Sequence, residues 1–368
     1  MISRLLAGLI LILVIAVTSL PLNASSQQMV DDFVRDNAAY NAFLKGNYGV
    51  AEAYYRESLK NAEAANAKPS RQATLLGNLG YILTADGRYK EAEEFFNLSL
   101  KLGEKTPIDP RVRTIVLVNL SMLYVRTNRI ERAEKILDEA LELCRKYFGE
   151  ESPHMAVTLR QVGIVYAQKR RLKPAEKTLK EALALAEKHP STRPDELASI
   201  LTSLAATYSM QKNWDKAEAL YARAIDVLQR SFNALHPGLS DALVNLAEHH
   251  MLRSDYVQAE DAFRRTLRIR EILYGSDHIE TANVNSRLAV ALTAQRRFEE
   301  AQKLFVQALP IQERVLGPQA PEVAMSLEQF GKLLRQMQDT ARAEVVEARA
   351  RAIRDVHSFT VSADRLRD

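Results

Sequence analysis

Eight positions, spaced 41 or 42 residues apart, carry a recurring polar chemistry: Asn37, Asn78, Asn119, Gln161, Ser203, Asn245, Arg287 and Gln329. Six of the eight are Asn or Gln. A carboxamide offers two N–H donors and one carbonyl acceptor, so it can satisfy the backbone of an extended peptide whatever that peptide's sequence. The same amides can equally brace neighbouring parts of the chain against one another. Apolar packing explains neither the residue type nor its recurrence.

Covalent chemistry finds no matching constellation. The sequence has no glycine-rich phosphate loop, no nucleophile elbow and no His-Glu-x-x-His pair. His249 and His250 are adjacent, and neighbours on a helix point in different directions, so they do not make a same-face metal pair. His154, His236 and His278 recur at matching places between repeated segments and are expected to make a repeated turn contact. Cys144 is the only cysteine, which excludes an intramolecular disulfide and a cysteine metal cluster. It follows Leu137 and Leu141 in an apolar helical register and reads as a core thiol. Asn97-Leu98-Ser99 and Asn119-Leu120-Ser121 fit the glycosylation acceptor pattern but fall within helical stretches. The expectation is a non-enzymatic protein without metal or cofactor.

The elements that position the amides are set by two further ladders. An Ala-Glu or Ala-Gln pair recurs at Ala51, Ala92, Ala133, Ala175, Ala217, Ala259 and Ala301, and Ala343-Glu344 completes the series. Thirteen residues upstream of each alanine, directly after the amide position, stand Ala38, Leu79, Leu120, Val162, Leu204, Leu246, Leu288 and Phe330. Ladders locked to one period are the signature of a repeat array. Each unit reads as two helices. In the second unit Leu75, Leu76, Leu79, Ile82 and Leu83 have helical spacing, Asp86-Gly87-Arg88 breaks the helix, and Ala92, Phe95, Phe96 and Leu100 lie on one side of the next. Small residues follow the ladder position (Gly80, Gly163, Ala205, Ala247, Ala289, Gly331), where facing helices must approach closely. Second helices stop at Phe148-Gly149, Tyr274-Gly275 and Leu316-Gly317, with prolines beyond.

Composition agrees with an elongated array. Of 368 residues 47% are hydrophobic, and 13 Gly with 12 Pro are too few for a long disordered region. Lys and Arg number 50 against 46 Asp and Glu, interspersed, for a net charge of +4. Such a surface carries no nucleic-acid footprint.

The amino terminus reads as an export signal. One charge at Arg4 precedes the apolar run Leu5 to Val17, and Ala24 closes a cleavage-like segment. Cleavage there gives a periplasmic or secreted chain; without it, residues 5–22 are long enough for a single membrane anchor. The layout expected is a signal or anchor over 1–24, a polar linker over 25–32, about eight helix pairs over 33–356 and a tail over 357–368. The highly charged last helix reads as a solvent-facing cap.

Asn78-Leu79-Gly80, Gly87-Arg88-Tyr89, Ala92-Glu93 and Tyr208 resemble tetratricopeptide repeats. The longer period, together with Asn245-Leu246-Ala247, Tyr256, Ala259-Glu260 and Tyr274-Gly275-Ser276-Asp277-His278, is similar to the kinesin light chain subtype. The resemblance spans residues 33–356. It implies an all-α, right-handed superhelical solenoid of antiparallel helix pairs, with first helices lining a concave groove that holds a protein or an extended peptide. In that subtype a groove asparagine meets the peptide backbone, which places Asn37, Asn78, Asn119, Gln161, Asn245, Arg287 and Gln329 on the binding face. Beside them the groove is expected to be mixed and rather apolar, with Tyr81, Met122, Met210 and Met251, and methionine-rich surfaces adapt to several partners. Basic residues are not arranged across the first units as a carboxylate clamp. The implied function is a binding scaffold; the alternatives are a peptide sensor that changes superhelical shape and an accessory subunit of an extracytoplasmic enzyme or assembly complex.

Overall fold

The computed structural model describes residues 24–232 and 234–365, with side chains over 32–355 apart from 105 and 233. The signal or anchor expected over residues 1–24 lies, but for Ala24, outside the described residues. Those residues form sixteen helices and no strand. They pair as α1 (Ala24–Leu44) with α2 (Tyr48–Ala64), α3 (Pro69–Ala85) with α4 (Tyr89–Lys105), α5 (Pro110–Arg126) with α6 (Ile130–Phe148) and α7 (Pro153–Gln168) with α8 (Leu172–Lys188). The later pairs are α9 (Pro194–Met210) with α10 (Trp214–Ser231), α11 (Pro237–Leu252) with α12 (Tyr256–Tyr274), α13 (Ile279–Ala294) with α14 (Phe298–Leu316) and α15 (Pro321–Gln336) with α16 (Thr340–Arg365). Among the described residues no helix is long and apolar enough to cross a membrane.

Two boundaries differ from the sequence reading. The expected linker over 25–32 is the opening of α1, and the expected tail from 357 is helical to Arg365. Neither stretch contains Gly or Pro, so nothing in the backbone stops a helix whose neighbour is already in place.

The alanine ladder sits at the joint of each pair. All eight alanines, Ala51 through Ala343, are 0% exposed. Opposite them the small residues are needed for space. A Cβ added at Gly80 would lie 2.8 Å from the Phe96 ring, and one at Gly163 would lie 2.5 Å from Leu179. The glutamate beside the alanine ties each unit to the next. Glu52 accepts from Arg88 at 2.6 Å, Glu93 from Arg129 at 2.7 Å, Glu134 from Lys169 at 2.5 Å, Glu176 from Gln211 at 3.0 Å, Glu218 from Arg253 at 2.8 Å and Glu260 from Arg297 at 2.7 Å.

The turn inside every pair is built alike. Gly46, Gly87, Asn128, Arg170, Lys212, Ser254, Arg296 and Gln338 all take positive φ, from 56° to 80°. In each, the following N–H reaches back to a carbonyl of the last helical turn, as Arg88 does to Leu83 at 2.9 Å and Arg129 to Tyr124 at 2.7 Å. This is the Schellman arrangement that satisfies a helix C-terminus.

The pairs stack into a right-handed solenoid, and the superhelix turns far enough to meet itself. The first two turns lie against the sixth to eighth units. Tyr48 packs its ring 5.3 Å from that of His278, and the Tyr89 hydroxyl donates to Glu322 at 3.3 Å. A Cβ at Gly46 would fall 2.4 Å from Tyr274, and one at Gly87 would fall 2.5 Å from Leu316. Only these two turns hold glycine, and these are the turns covered by the next superhelical turn.

Candidate partner-binding cavity

Closure of the superhelix leaves a central cavity of about 860 Å³, walled mainly by the first helices α3, α5, α7, α9 and α11. Tyr40 and Phe43 of α1 and Tyr274 beside the seam complete it. Ligand sites of this kind enclose about 300–1,000 Å³.

Of the residues assigned to the groove from sequence, Asn78, Asn119, Asn245, Tyr81, Met122 and Met210 line this cavity. Among the described residues, the amides of Asn78 and Asn119 make no hydrogen bond to protein. Asn245 donates at 2.8 Å to the Asp241 carbonyl of its own helix, so none of the three braces a neighbouring helix.

The other five are placed elsewhere. Gln161 is 1% exposed, and α7 lines the cavity with Arg160 and Ile164 instead. Arg287 and Gln329 belong to the last two units, carried past the cavity by the superhelical rise. Arg287 pairs with Glu248 at 2.6 Å, and Gln329 accepts from Lys332 at 3.5 Å. Asn37 is exposed and donates to the Phe33 carbonyl at 2.8 Å. Met251 packs on the core of the C-terminal units.

The cavity is more charged than the sequence suggested. Arg126, Arg160 and Arg193 line it together with Asp195, Glu196, Asp241 and Glu280. Helical spacing carried this signal: Arg126 stands four residues after Met122, Arg160 four before Ile164 and Asp241 four before Asn245, each on the same face. Asp241 and Glu280 share Arg270, each at 2.8 Å, and Arg193 holds Asp195 at 2.5 Å and Tyr40 at 3.3 Å. Enclosure perturbs these groups even where water reaches them. Asp241 keeps 66% of its side-chain surface, yet desolvation inside the ring raises its carboxyl above the usual range against the pull of Arg270. Desolvation likewise raises the Tyr81 hydroxyl and lowers the Arg160 guanidinium.

The histidines and the cysteine have structural surroundings. His154, His236 and His278 each pack on the aromatic residue that closes the preceding helix: Phe148 at 4.6 Å, Phe232 at 4.0 Å and Tyr274 at 4.9 Å. His236 and His278 also cap the next helix, accepting at 3.1 Å from the Gly238 and Glu280 N–H groups. His249 is buried with Nδ1 2.8 Å from the Ser209 hydroxyl, between Trp214 and Tyr221. Cys144 is buried beside the Thr158 hydroxyl at 3.4 Å, and burial pushes its thiol up. Among the described residues no cluster of three or more His, Cys, Asp or Glu is placed to hold a metal.

The model of the tetratricopeptide repeat matches residues 34–105, 113–188, 196–272 and 280–355. Among solved structures, a Rap protein complexed with competence and sporulation factor superposes with a TM-score of 0.58 at 13% identity, over 89% of this chain and 99% of that one. A signal-transduction ATPase with a tetratricopeptide repeat sensor, from Pyrococcus horikoshii, gives 0.53 at 13% identity over 91% and 49%. Nearly identical repeats of a kinesin light chain-like protein from Podosopora anserina give 0.46 at 19% identity over 55% and 97%. At these identities the likeness is one of fold. No curated protein matches the sequence.

Proposed function

This chain belongs to the tetratricopeptide repeat family, and from that premise we propose that it is an exported, non-enzymatic scaffold gripping an extended peptide segment in its central cavity. The observation that carries this reading is the pair of amides on α3 and α5, Asn78 and Asn119, which face the cavity without a protein partner, with Asn245 on α11 facing them. Neighbouring helices lie about 8–10 Å apart and an extended chain advances about 3.3 Å per residue, so adjacent amides meet roughly every third peptide unit. That match favours backbone recognition over recognition of one side chain.

Titration calorimetry with a pool of random pentapeptides tests it. Replacing Asn78, Asn119 and Asn245 together by alanine removes up to three hydrogen bonds, roughly 2–4 kcal/mol of binding. The melting curve should stay close to wild type, since none of the three ties helices together. Unchanged peptide affinity in the triple variant would discard the assignment. Export rests on residues 1–24; mass spectrometry of the mature chain showing an intact amino terminus in the soluble cytoplasmic fraction would refute it.

The seam favours a second reading, a sensor whose superhelical shape responds to the peptide. The Rap protein of similar fold was solved in complex with competence and sporulation factor. Small-angle scattering separates the two: a sensor compacts on adding peptide, and a static scaffold does not.

A further inference from the structure

A buried arginine in the sixth unit stands where the three units before it have apolar or weakly polar side chains. Arg270 on α12 is 6% exposed, and the matching positions upstream hold Leu228, Ala186 and Cys144, all buried. Packing therefore does not require a guanidinium there, and an apolar side chain would avoid the cost of drawing one out of water. What Arg270 does is join three helices. It donates to Asp241 of α11 at 2.8 Å, to the Ser240 hydroxyl at 3.3 Å and to the Glu280 carbonyl at 2.9 Å, and it meets the Glu280 carboxylate at the start of α13 at 2.8 Å.

The bridge runs from the cavity to the seam. Asp241 and Glu280 line the cavity. The Glu280 N–H donates at 3.1 Å to His278 Nδ1, and the His278 ring lies 4.9 Å from Tyr274 and 5.3 Å from Tyr48 of the first unit. One unit earlier His236 caps Gly238 in the same way, but Leu228 takes the arginine's place and the ring stacks on Phe232 of its own unit. One unit later the place is taken by Gln312, buried and bonded at 2.9 Å to Asn283, the counterpart of Asp241. That helix ends at Leu316, which covers Gly87 across the seam. Hydrogen-bonded polar ties thus occupy this position beneath both turns that touch the first two units.

We propose that Arg270 is a positioning residue that transmits the state of the cavity wall to the seam, seating His278 against Tyr48 while Asp241 holds the guanidinium. Released from Asp241, the guanidinium follows Glu280 alone, the start of α13 loses its tie to α11, and His278 is free to leave Tyr48. Any ligand group that engages Asp241 acts on the seam by the difference it makes between closed and open states. This goes beyond the peptide-binding reading and stands on the seam, whatever the cavity holds.

Hydrogen exchange of the turn over residues 45–48, followed by mass spectrometry without ligand, reads the seam from the opposite end of the chain. Asp241→Ala should speed exchange there about tenfold and Arg270→Leu about ten- to hundredfold, the equilibrium worth of one and of several charge-assisted hydrogen bonds. Glu260→Gln weakens another tie of the same units, to Gln295, Arg297 and Arg264, none of which lines the cavity, and should leave the turn as in wild type. Equal acceleration in Glu260→Gln would mean general softening of the units and overturn the inference. Acceleration in Arg270→Leu but not in Asp241→Ala would leave Arg270 a structural tie and overturn it too. A turn unprotected in the wild type removes the seam and this inference together, with the amide reading untouched. Should Arg270→Leu fail to fold, Asp241→Ala decides, since that side chain is 66% exposed and its loss leaves Arg270 paired with Glu280.

Discussion

Glycine at the first two intra-pair turns provides the sharpest test of how the superhelix closes. Six other turns hold Asn128, Arg170, Lys212, Ser254, Arg296 and Gln338 at the same left-handed backbone. This conformation therefore tolerates a side chain, at a cost of about 1 kcal/mol. What distinguishes Gly46 is space. An added Cβ would lie 2.4 Å from Tyr274 Cδ1, whereas carbon contacts settle near about 3.5 Å, so the ring must retreat by about 1.1 Å. Tyr274 cannot retreat freely, since its ring packs on His278 at 4.9 Å and His278 on Tyr48 at 5.3 Å. Overpacking of that size costs about 1–3 kcal/mol. Gly46→Asn, which copies the residue native to the third turn, should lose the backbone cost plus the clash. Combined with Tyr274→Ala it should regain the clash, giving a coupling of about 1–3 kcal/mol in a denaturant double-mutant cycle. If the strain opens the seam instead, the stability loss shrinks and the radius of gyration of Gly46→Asn rises. Additive energies within about 0.5 kcal/mol together with unchanged scattering would refute the seam.

Two further outcomes follow from packing and charge. Ala217 is 0% exposed within a cluster of Leu179, Leu204, Tyr208 and Tyr221, so Ala217→Phe should destabilise by at least about 1–3 kcal/mol, and wild-type melting would contradict the joint described above. Glu176 is held below the usual carboxylate range by hydrogen bonds led by Lys180. At Glu260 burial pushes upward, but bonds from Gln295, Arg297 and Arg264 outweigh it and the carboxyl is also lowered. Lowered carboxylates stabilise the fold above their unfolded value of about 4.5, and that stability is lost as pH falls through the folded values. Denaturant midpoints should therefore be level from neutral pH to about 5 and fall below about 4.5, less steeply in Glu260→Gln. A wild-type midpoint unchanged at pH 3 would refute it.

The helix pairs were legible because repeat packing is local. An alanine that must let two helices close is required at every joint, so the ladder of Ala51 to Ala343 declares the architecture whatever the superhelix does afterwards. The glutamate beside it was legible in principle too. A basic or amide partner follows each of Glu52, Glu93, Glu134, Glu176, Glu218 and Glu260 some 35–37 residues on, but the sign of the partner varies enough to hide the pattern. The cavity wall obeys a different rule. Which polar residue of a first helix faces inward depends on how that helix packs among its neighbours, and in α7 that packing buries Gln161 and leaves Arg160 on the cavity. Whether a unit reaches the cavity at all depends on superhelical rise, which left Arg287 and Gln329 outside. Neither quantity is written in a single unit, because both accumulate over several. The helical ends were missed for the opposite reason: α1 and α16 continue past the last recognisable repeat position simply because nothing breaks them.

Closure also changes what kind of repeat array this is. A linear stack has only nearest-neighbour energies, and its ends are indifferent to one another. Here Tyr48, Gly46 and Tyr89 of the first two units meet Tyr274, His278 and Glu322 of the last three, so the two ends share an energy. The cavity lies between the same turns, with Asn78 and Tyr81 on the second unit and Asn245 and Asp241 on the sixth. A ligand gripping both sides would bind the closed ring better than an open one and would shift the equilibrium toward closure by that difference in affinity. By the same linkage, apparent affinity falls in proportion to the fraction of molecules whose seam is closed. Gly87→Asn, whose clash falls on Leu316 outside the cavity lining, should therefore weaken peptide binding without touching the cavity, while a scaffold indifferent to its seam would bind as before.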